Sequence, residues 1–286
     1  MSWRTSNFSA LRQEISRQLQ QVGIDIRSAE FEAAWILEEV FGKNKFQLSL
    51  ERNLQFSEPL ENRLNEILSR RLQREPLQYI LGKAYFMDLE LFVSPDVLIP
   101  RPETEIMAEA IIRELPPGGR MIDVGCGSGA IGLAVAQARS DAQVLEVDIS
   151  DAALNVARKN CAKYHLSNVK FLHSSLLEQL QATPEWNLIA ANLPYVSFSE
   201  YESLELEVKN FEPQLALTAA DDGLALITEL LQNAWRYLTA DGVIYLESGI
   251  AHPTMICQLV KNDKNYQSCS IIKDYNNFNR FNRITV

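Results

Sequence analysis

The sequence predicts an α/β protein in which helices cover both faces of a mostly parallel sheet, preceded by a smaller helical domain. From about residue 104, apolar segments typical of buried strands alternate with segments of helical spacing. The first 75 residues show helical spacing without strand-like alternation. Between these regions, an alternating segment predicts a β-hairpin. We therefore divide the chain into a helical domain (1–75), a linker with a β-hairpin (76–103) and an α/β domain (104–286).

The helical domain is predicted to contain three helices. Gly23 and Gly42 mark the ends of the first two, and Pro76 follows the third, which we place at 58–74. Apolar residues repeat at helical spacing within them. In the first two helices these are Leu11, Ile15, Leu19, Phe31, Trp35 and residues 37–40.

The linker alternates between apolar and polar residues over 85–99, as two paired strands would. Ser94-Pro95-Asp96 has the composition of a turn. The sequence therefore predicts a hairpin with its turn at 94–96. The inward-facing residues would be Leu89, Leu91, Val93, Val97 and Ile99.

In the α/β domain, each predicted strand is short and apolar, and Ser150 is suited to cap the second helix. The predicted strands are 120–124, 143–148, 169–173, 186–191 and 242–247, and the helices are 130–139, 151–165 and 223–238. Two final strands, 266–272 and 280–286, have no convincing helix between them and are expected to pair antiparallel.

Composition excludes several classes of function. A net charge of −10 argues against tight sequence-independent binding to DNA, which needs clustered Lys and Arg. The first residues show no secretion signal, and no stretch is apolar for long enough to span a membrane, so we expect a cytoplasmic protein. The four cysteines and three histidines lack ligand spacing, so neither a metal site nor a disulfide framework is expected.

A glycine-rich loop follows the first strand of this domain and opens a helix. Its residues are Asp123-Val124-Gly125-Cys126-Gly127-Ser128-Gly129-Ala130. The glycines allow a sharp turn and a close approach to a polar or anionic ligand at the helix N-terminus. Gly127, Gly129 and Gly132 also fit the dinucleotide fingerprint, so the loop alone fits either a nicotinamide cofactor or S-adenosylmethionine.

Three acidic residues accompany the loop. Asp148 ends the second strand, where a carboxylate can accept both hydrogens of a ribose diol. Glu146 lies two residues earlier on the same side and is a rival for this role. Asp123 precedes Gly125 and would approach the charged end of the cofactor. A carboxylate there favours the ammonium and sulfonium of S-adenosylmethionine over a pyrophosphate.

Asn192-Leu193-Pro194-Tyr195 follows the apolar segment 186–191. A polar amide at the carboxyl end of a parallel strand, stiffened by a proline and followed by an aromatic residue, can hold a flat amide-like group. This arrangement suggests chemistry on a planar NH2 nitrogen. Considered alone, the segment also fits an ordinary turn after a strand.

Together the motifs resemble the release factor glutamine methyltransferases, the PrmC/HemK family, over nearly the whole chain. The matching segments are 74–82, 98–105, the glycine loop, 192–195, 211–213 and 219–223. The resemblance implies a Rossmann-like S-adenosylmethionine-dependent methyltransferase domain. The helical domain would recognise the substrate protein, because a single loop glutamine offers few contacts and specificity then needs contacts away from it.

The resemblance also implies roles for individual residues. The glycine loop from Gly125 to Gly129 and Asp148 would hold S-adenosylmethionine, and Asn192 would lie between cofactor and substrate. The substrate would be the glutamine of a Gly-Gly-Gln loop in peptide chain release factors, methylated at N5. The Asn192 side-chain oxygen and the Pro194 carbonyl would each accept one amide hydrogen, and Tyr195 would pack against the amide plane. The Pro-Arg-Pro-Glu segment, residues 100–103, would pack beside the cofactor pocket, which makes Arg101 and Glu103 site candidates; a salt-bridged structural turn is the alternative for them.

Two positions depart from the family pattern. Leu193 stands where the family has a first proline, a position that contributes mainly backbone rigidity to the substrate-binding segment. Ser175-Leu176 stands where the family often has an acid followed by an aromatic residue near the adenine. A hydroxyl and a leucine still offer one hydrogen bond and an apolar wall, with weaker cofactor affinity as the expected result.

Other functions remain open at this point. A ribosomal-protein glutamine methyltransferase would differ mainly in its partner, and N6-adenine methylation of nucleic acid also acts on a planar amine. A cofactor-binding scaffold without catalysis is a third alternative. The acidic charge and the match of the helical domain count against nucleic acid as the substrate, so we expect an enzyme that acts on release factors without binding DNA directly. We also expect a monomer.

Overall fold

The computed structural model of the chain describes Trp3 and residues 5–286. Met1, Ser2 and Arg4 belong to the opening segment, where the sequence predicts no secretion signal, and they lie outside the described residues. The chain divides into two compact units. The smaller one runs to Leu81 and includes Leu206–Phe211, and the larger one comprises Gly82–Glu205 and Glu212–Val286. This division differs from the predicted boundary at residue 75, and it places the hairpin in the larger unit.

The smaller unit is helical, as predicted. Its elements are β1 (Thr5–Ser6), α1 (Phe8–Gln21), α2 (Ile26–Phe41), α3 (Lys45–Leu50), β2 (Leu54–Gln55), α4 (Glu58–Arg71), α5 (Leu77–Leu81) and α10 (Leu206–Phe211). Helix α1 begins where the Asn7 side chain accepts a hydrogen bond from the Ala10 amide, and α2 ends at Gly42 in the left-handed region. The short helices α3 and α5 and the strand pair were not predicted.

A buried ion cluster lies inside this unit. The Arg71 side chain, at the end of α4, is only 4% exposed. Its Nε donates to Glu32 Oε2 at 2.6 Å, and its Nη2 donates to Glu207 Oε1 at 3.1 Å. Arg74 also pairs with Glu207. The cluster therefore attaches α10 to α2 and α4.

The larger unit contains a seven-stranded sheet. The remaining elements are β3 (Lys83–Phe86), β4 (Leu89–Phe92), α6 (Thr104–Glu114), β5 (Arg120–Val124), α7 (Ala130–Ala138), β6 (Gln143–Asp148), α8 (Asp151–Lys163), β7 (Val169–His173), β8 (Trp186–Ala191), α9 (Phe198–Tyr201), α11 (Ala225–Asn233), β9 (Leu238–Glu247), α12 (His252–Lys261), β10 (Ser268–Lys273) and β11 (Asn279–Thr285). Short 3-10 helices occupy Gln214–Ala216, Asp221–Gly223 and Ala234–Arg236.

The strand order is β10-β11-β9-β8-β5-β6-β7. The five strands from β9 to β7 are parallel, and β11 and β10 pair antiparallel at one edge. The predicted strands, including the final antiparallel pair, are confirmed with small shifts at their ends. Separate apolar clusters pack on the sheet, which accounts for strands such as β8 that are buried along most of their length.

The predicted hairpin exists, but its turn was misplaced. Strands β3 and β4 pair antiparallel, and Met87 and Asp88 connect them. Met87 has a φ of 49°, a left-handed conformation that its residue type does not signal. Residues 94–97 do form a turn, closed by the Val97 amide on the Ser94 carbonyl at 3.1 Å, but it follows the hairpin. The predicted strand through Val97 to Ile99 was therefore wrong.

Two further features complete the fold. Cys257 on α12 and Cys269 on β10 form a disulfide, which their spacing in the sequence did not suggest. The predicted helix over 223–238 is interrupted after Asn233.

Within the described residues, no helix combines the length and apolar character needed to cross a membrane. The same residues hold no group of three or more His, Cys, Asp or Glu that could bind a metal ion.

Candidate functional site

A cavity of about 370 Å³ opens at the carboxyl edge of the parallel strands, entirely within the larger unit. Strand β5 lies between β6 and β8. The sheet extends from β5 through β6 and β7 in one direction and through β8 and β9 in the other. Such a switch point leaves a crevice between the loops that follow adjacent strands. The cavity therefore lies where an α/β sheet ordinarily binds its ligand.

Most of the predicted site residues meet at this cavity. Those that line it are Arg101, Gly125, Cys126, Gly127, Ser128, Asp148, Ser175, Leu176, Asn192, Leu193 and Pro194. Among the described residues, Asp123, Gly129, Tyr195 and Glu103 are not part of its wall. Lining residues that were not singled out include Phe86, Asp96, Thr104, Ile149, Ser150, Pro213, Leu215 and Leu226. Of these, Thr104 and Pro213 lie in motifs that the family resemblance had matched.

The glycine loop is held against β6 by backbone hydrogen bonds. The Gly125 and Cys126 amides donate to the Val147 carbonyl at 2.8 and 3.0 Å. Gly125 and Gly127 have φ values of 73° and 55°, and a Cβ on Gly127 would meet no atom within 4 Å. The loop thus presents bare backbone to open space at the cavity. Gly129 has a structural role instead: it is the N-cap of α7, with a φ of 80°, and it packs against Leu133.

Asp148 is buried at the end of β6 and faces the cavity. Its Oδ2 accepts a hydrogen bond from the Gly127 amide and its Oδ1 accepts one from the Ser150 amide, both at 2.9 Å. Burial raises the pKa of this carboxyl, and the backbone donors oppose that shift. Each oxygen keeps a further lone pair for a ligand.

Glu146 and Asp123 form a buried carboxyl pair behind the loop. Asp123 Oδ2 accepts a hydrogen bond from the Gly132 amide in α7 at 2.9 Å. Burial raises the pKa of Asp123 to about 6, and burial together with the charge of Asp123 raises the pKa of Glu146. Because Glu146 is fully buried outside the cavity wall, Asp148 is the better placed of the two rivals for a ribose.

Asn192 is the first residue after β8, and its side chain reaches the start of α6. Its Nδ2 lies 3.4 Å from Thr104 Oγ1, and that hydroxyl donates to Glu247 Oε2 at 2.6 Å. Glu247 ends β9 and is buried, and burial raises its pKa to about 7. No described residue donates a hydrogen bond to Asn192 Oδ1 within the cavity, so this oxygen keeps its acceptor capacity.

Leu193 and Tyr195 lie on either side of Pro194. The buried Leu193 side chain packs over Gly125, where an added Cβ would come within 3.0 Å of Leu193 Cδ2. Leucine at this position thus supports the glycine loop by apolar contact. Tyr195 is half-buried outside the cavity wall, and burial raises its pKa to about 12. An added Cβ on Gly223 would meet the Tyr195 carbonyl at 2.0 Å, so this backbone is tightly packed.

An ion pair joins two segments that contribute to the cavity wall. Arg101 Nη2 donates to Glu212 Oε1 at 2.6 Å, and the Ile99 amide donates to Glu212 Oε2 at 3.3 Å. Glu212 is buried, which raises its pKa, and Arg101 opposes that shift. Glu212 thereby joins the segment around Arg101 to the segment that begins with Pro213.

The chain is similar to known proteins over most of its length. Residues 10–82 match the family model described as the PrmC N-terminal domain, and residues 115–283 match one described as a methyltransferase domain. A release factor glutamine methyltransferase of Fusobacterium nucleatum is 38% identical over 245 residues, covering 84% of this chain and 69% of that protein. One of Coxiella burnetii is 36% identical over 253 residues, covering 87% and 88%. The chain belongs to the release factor glutamine methyltransferase family.

Membership of this family confirms the resemblance that the motifs had indicated. Among solved structures, a methyltransferase from Pyrococcus furiosus superposes with a TM-score of 0.52 at 18% identity, covering 79% of this chain and 98% of that one. At that level of identity the match shows the methyltransferase fold. The Rossmann-like fold predicted for the larger unit is therefore confirmed as well.

Proposed function

We propose that this chain transfers a methyl group from S-adenosylmethionine to the N5 nitrogen of the glutamine in the Gly-Gly-Gln loop of peptide chain release factors. One observation carries the proposal. In a member of this family, Asn192 and Pro194 line the same cavity as the glycine loop and Asp148. A group that can hold an amide and a set of groups that can hold a nucleoside cofactor thus share one enclosed space.

The residues present fit S-adenosylmethionine. The cavity of about 370 Å³ lies in the range of small-molecule sites. The Asp148 oxygens can accept from the ribose hydroxyls, and the backbone of Gly125 and Gly127 can lie close to the amino-acid portion. Ser175 and Leu176 can line the adenine, with Arg101 on another part of the wall. Asp123 is not part of the cavity wall, so we propose that it acts on the cofactor only through α7. The Gly132 amide of that helix donates a hydrogen bond to the Asp123 carboxyl group.

Bound S-adenosylmethionine supplies an electrophilic methyl group on its sulfur. The glutamine amide is a poor nucleophile, because its nitrogen lone pair is delocalised into the carbonyl. Asn192 Oδ1 and the Pro194 carbonyl would each accept one hydrogen of the NH2 group. These two bonds would fix the direction of the nitrogen, and they would stabilise the positive charge that develops on it as the N–CH3 bond forms and the S–CH3 bond breaks. The sulfur would leave as a neutral sulfide, and the methylated nitrogen would lose one hydrogen as a proton to solvent.

Tyr195 has a less direct place in this scheme. Its backbone follows Pro194, but its ring lies outside the cavity wall. Packing of this ring against the glutamine amide stays a prediction. The firmer contribution is structural: the Tyr195 carbonyl packs against Gly223, which fixes the backbone that presents the Pro194 carbonyl.

The choice of partner follows the family. The relatives are named release factor glutamine methyltransferases, and the PrmC N-terminal domain match falls on the helical part of this chain. The net charge of −10 favours a protein partner over DNA. The monomeric state and the cytoplasmic location expected from the sequence stay predictions, as does recognition of the partner by the helical domain.

Labelled S-adenosylmethionine tests the proposal when the chain is incubated separately with a release factor, ribosomal proteins and DNA. We expect label on the release factor, and its loss when the glutamine of the Gly-Gly-Gln loop is changed to alanine. Label on ribosomal proteins with none on the release factor would contradict the proposed substrate. Label on DNA alone would contradict the proposed class of reaction.

A further inference from the structure

We propose that Thr104 and Glu247 are positioning residues that fix the Asn192 amide with its oxygen toward the substrate. The inference rests on the proposed function and deepens it, because it says how this chain selects one of two orientations of a nearly symmetric side chain. An Asn turned the other way would point its own NH2 group at the substrate NH2 group. Two donors would then face each other, and no hydrogen bond could form.

The three side chains come from distant parts of the chain. Thr104 begins α6, Asn192 follows β8, and Glu247 ends β9. The Thr104 and Glu247 residues are 4% and 2% exposed, so water does not compete for their hydrogen bonds. Thr104 Oγ1 lies 2.6 Å from Glu247 Oε2 and 3.4 Å from Asn192 Nδ2. Thr104 is therefore the link between a buried carboxyl group and the amide at the cavity.

The direction of these bonds follows from the number of hydrogens available. A threonine hydroxyl has one hydrogen, and a carboxylate can only accept. When Thr104 donates its hydrogen to the Glu247 carboxylate, it faces Asn192 with lone pairs alone. Asn192 must then present Nδ2 to Thr104, and Oδ1 faces the cavity. The amide orientation at the site is thus set by the charge on a side chain that does not touch the substrate.

Protonation of Glu247 would remove this constraint. A neutral carboxyl group can donate to Thr104, which frees the hydroxyl hydrogen to donate to Asn192 Oδ1 and favours the reversed amide. Arg280 on β11 and Arg101 favour the charged form of Glu247, while Glu103 disfavours it; Tyr195 is a further titratable neighbour. Burial is the largest influence and raises the Glu247 pKa to about 7. The productive orientation should therefore gain population as the pH rises through this value.

Paired substitutions at Thr104 test the proposal. Thr104→Val keeps the shape of the side chain but cannot accept from Asn192, whereas Thr104→Ser keeps the hydroxyl. With a release factor as substrate, we expect kcat of Thr104→Val to fall by up to about 100-fold, because a small misplacement of an orienting group lowers the rate. The Kd of S-adenosylmethionine should stay within about twofold. Thr104→Ser should recover most of the rate.

Equal kcat values for Thr104→Val and the wild type would overturn the proposal. A loss of cofactor binding in parallel with kcat, in a folded Thr104→Val protein, would also overturn it, because it would indicate a general structural role. Failure of the wild type to methylate any release factor would instead overturn the proposed function. The two failures are therefore distinguishable.

The pH profile supplies a second readout. The wild-type kcat should fall as the pH is lowered through about 7. Glu247→Gln has no carboxyl group to titrate, so its profile should lack this acidic limb whatever its absolute rate. A flat wild-type profile through this range would overturn the proposal, and so would the same limb in Glu247→Gln.

Discussion

Single residues at the cavity differ in how much of their hydrogen-bonding capacity the fold already uses. Both Asp148 oxygens accept from backbone amides, which fixes the carboxylate while leaving lone pairs for a ligand. Asn192 uses its nitrogen toward Thr104 and keeps its oxygen for the cavity. A side chain held at one end and free at the other is suited to orient a substrate without rearranging during the reaction.

Asp123→Asn should stabilise the protein above a pH of about 6. The pKa of Asp123 is raised from 3.8 to about 6 by burial, so its favourable contribution is complete below the unfolded value and is lost as the pH rises through the folded value. Asparagine can still accept from the Gly132 amide and carries no charge. We expect a gain of about 1 to 3 kcal/mol in the free energy of unfolding at alkaline pH, measured by urea denaturation.

Below the unfolded pKa the gain from Asp123→Asn should disappear. An equal effect of the substitution at both ends of the pH range would show that the buried charge is not its cause. Binding of S-adenosylmethionine, measured by calorimetry on the same variant, also tests whether Asp123 reaches the cofactor directly.

Residues that end a predicted strand could be assigned from the sequence, and their supporting partners could not. Asp148 and Asn192 follow apolar segments, so their place at the carboxyl edge of the sheet was predictable. Thr104 and Glu247 are 143 positions apart, and no local pattern joins them. Arg101 and Glu212, separated by 111 positions, were both in matched motifs, but nothing in the sequence indicated that they pair.

At the scale of elements, short apolar segments located the central strands of the sheet well because those strands are buried along most of their length, whereas the hairpin turn depended on one backbone conformation. Met87 adopts a positive φ, although Gly and Asn are the residue types that usually indicate this conformation in a sequence. The turn at 94–97 carried the stronger composition signal but closes no hairpin. Composition therefore identified a turn correctly and assigned it to the wrong pair of strands.

The packing of α7 on β6 predicts a large effect for Gly132→Ala. A Cβ at this helical position would lie 2.3 Å from Glu146 Oε1, so α7 or the buried carboxyl must shift. We expect a loss of about 1 to 3 kcal/mol in the free energy of unfolding, measured by urea denaturation.

Combining Gly132→Ala with Glu146→Ala should recover most of that loss, because the second change removes the obstructing atoms. If the effects of the two substitutions on the free energy of unfolding were strictly additive, the contact between position 132 and Glu146 would not be the cause of the loss. Gly118→Ala is a useful contrast, since its Cβ would meet nothing within 4 Å and its cost of about 1 kcal/mol would come from the positive φ alone.

The ion pair between Arg101 and Glu212 joins the segment around Arg101 to the segment that begins with Pro213, so its loss should change the shape of the cavity. Glu212→Gln keeps the size of the side chain but removes the charge that holds Arg101. We expect weaker binding of S-adenosylmethionine, by about tenfold, measured by calorimetry. Glu109→Gln removes an exposed partner of Arg113 and should leave binding unchanged. Equal binding by Glu212→Gln and the wild type would contradict a role for this pair in shaping the cavity.

At the scale of the whole molecule, chain connectivity and compact units do not coincide. Leu206–Phe211 lies in sequence within the methyltransferase region, yet it belongs to the helical unit. Arg71 supplies the connection through its ion pairs with Glu32 and Glu207. The sequence predicted a helical domain correctly but gave no sign of this excursion, because its contacts join residues far apart in the chain.

Arg71→Ala should therefore destabilise the helical unit strongly. The substitution leaves the partly buried Glu32 without its guanidinium partner and leaves Glu207 with Arg74 alone, so we expect a loss of about 3 kcal/mol in the free energy of unfolding. Hydrogen exchange should show faster exchange in both α4 and α10. Arg63→Ala, which breaks the exposed pair with Glu66, should change neither exchange nor stability appreciably. Unchanged exchange in α10 would contradict the role of the cluster.

Methyl transfer by Asn192→Ala shows whether Asn192 orients the substrate amide. The measurement compares the single-turnover rate on a release factor with the Kd of S-adenosylmethionine for the same variant. We predict a rate at least about 100-fold below that of the wild type, with cofactor binding largely retained. An undiminished rate in Asn192→Ala would show that Asn192 does not orient the substrate amide.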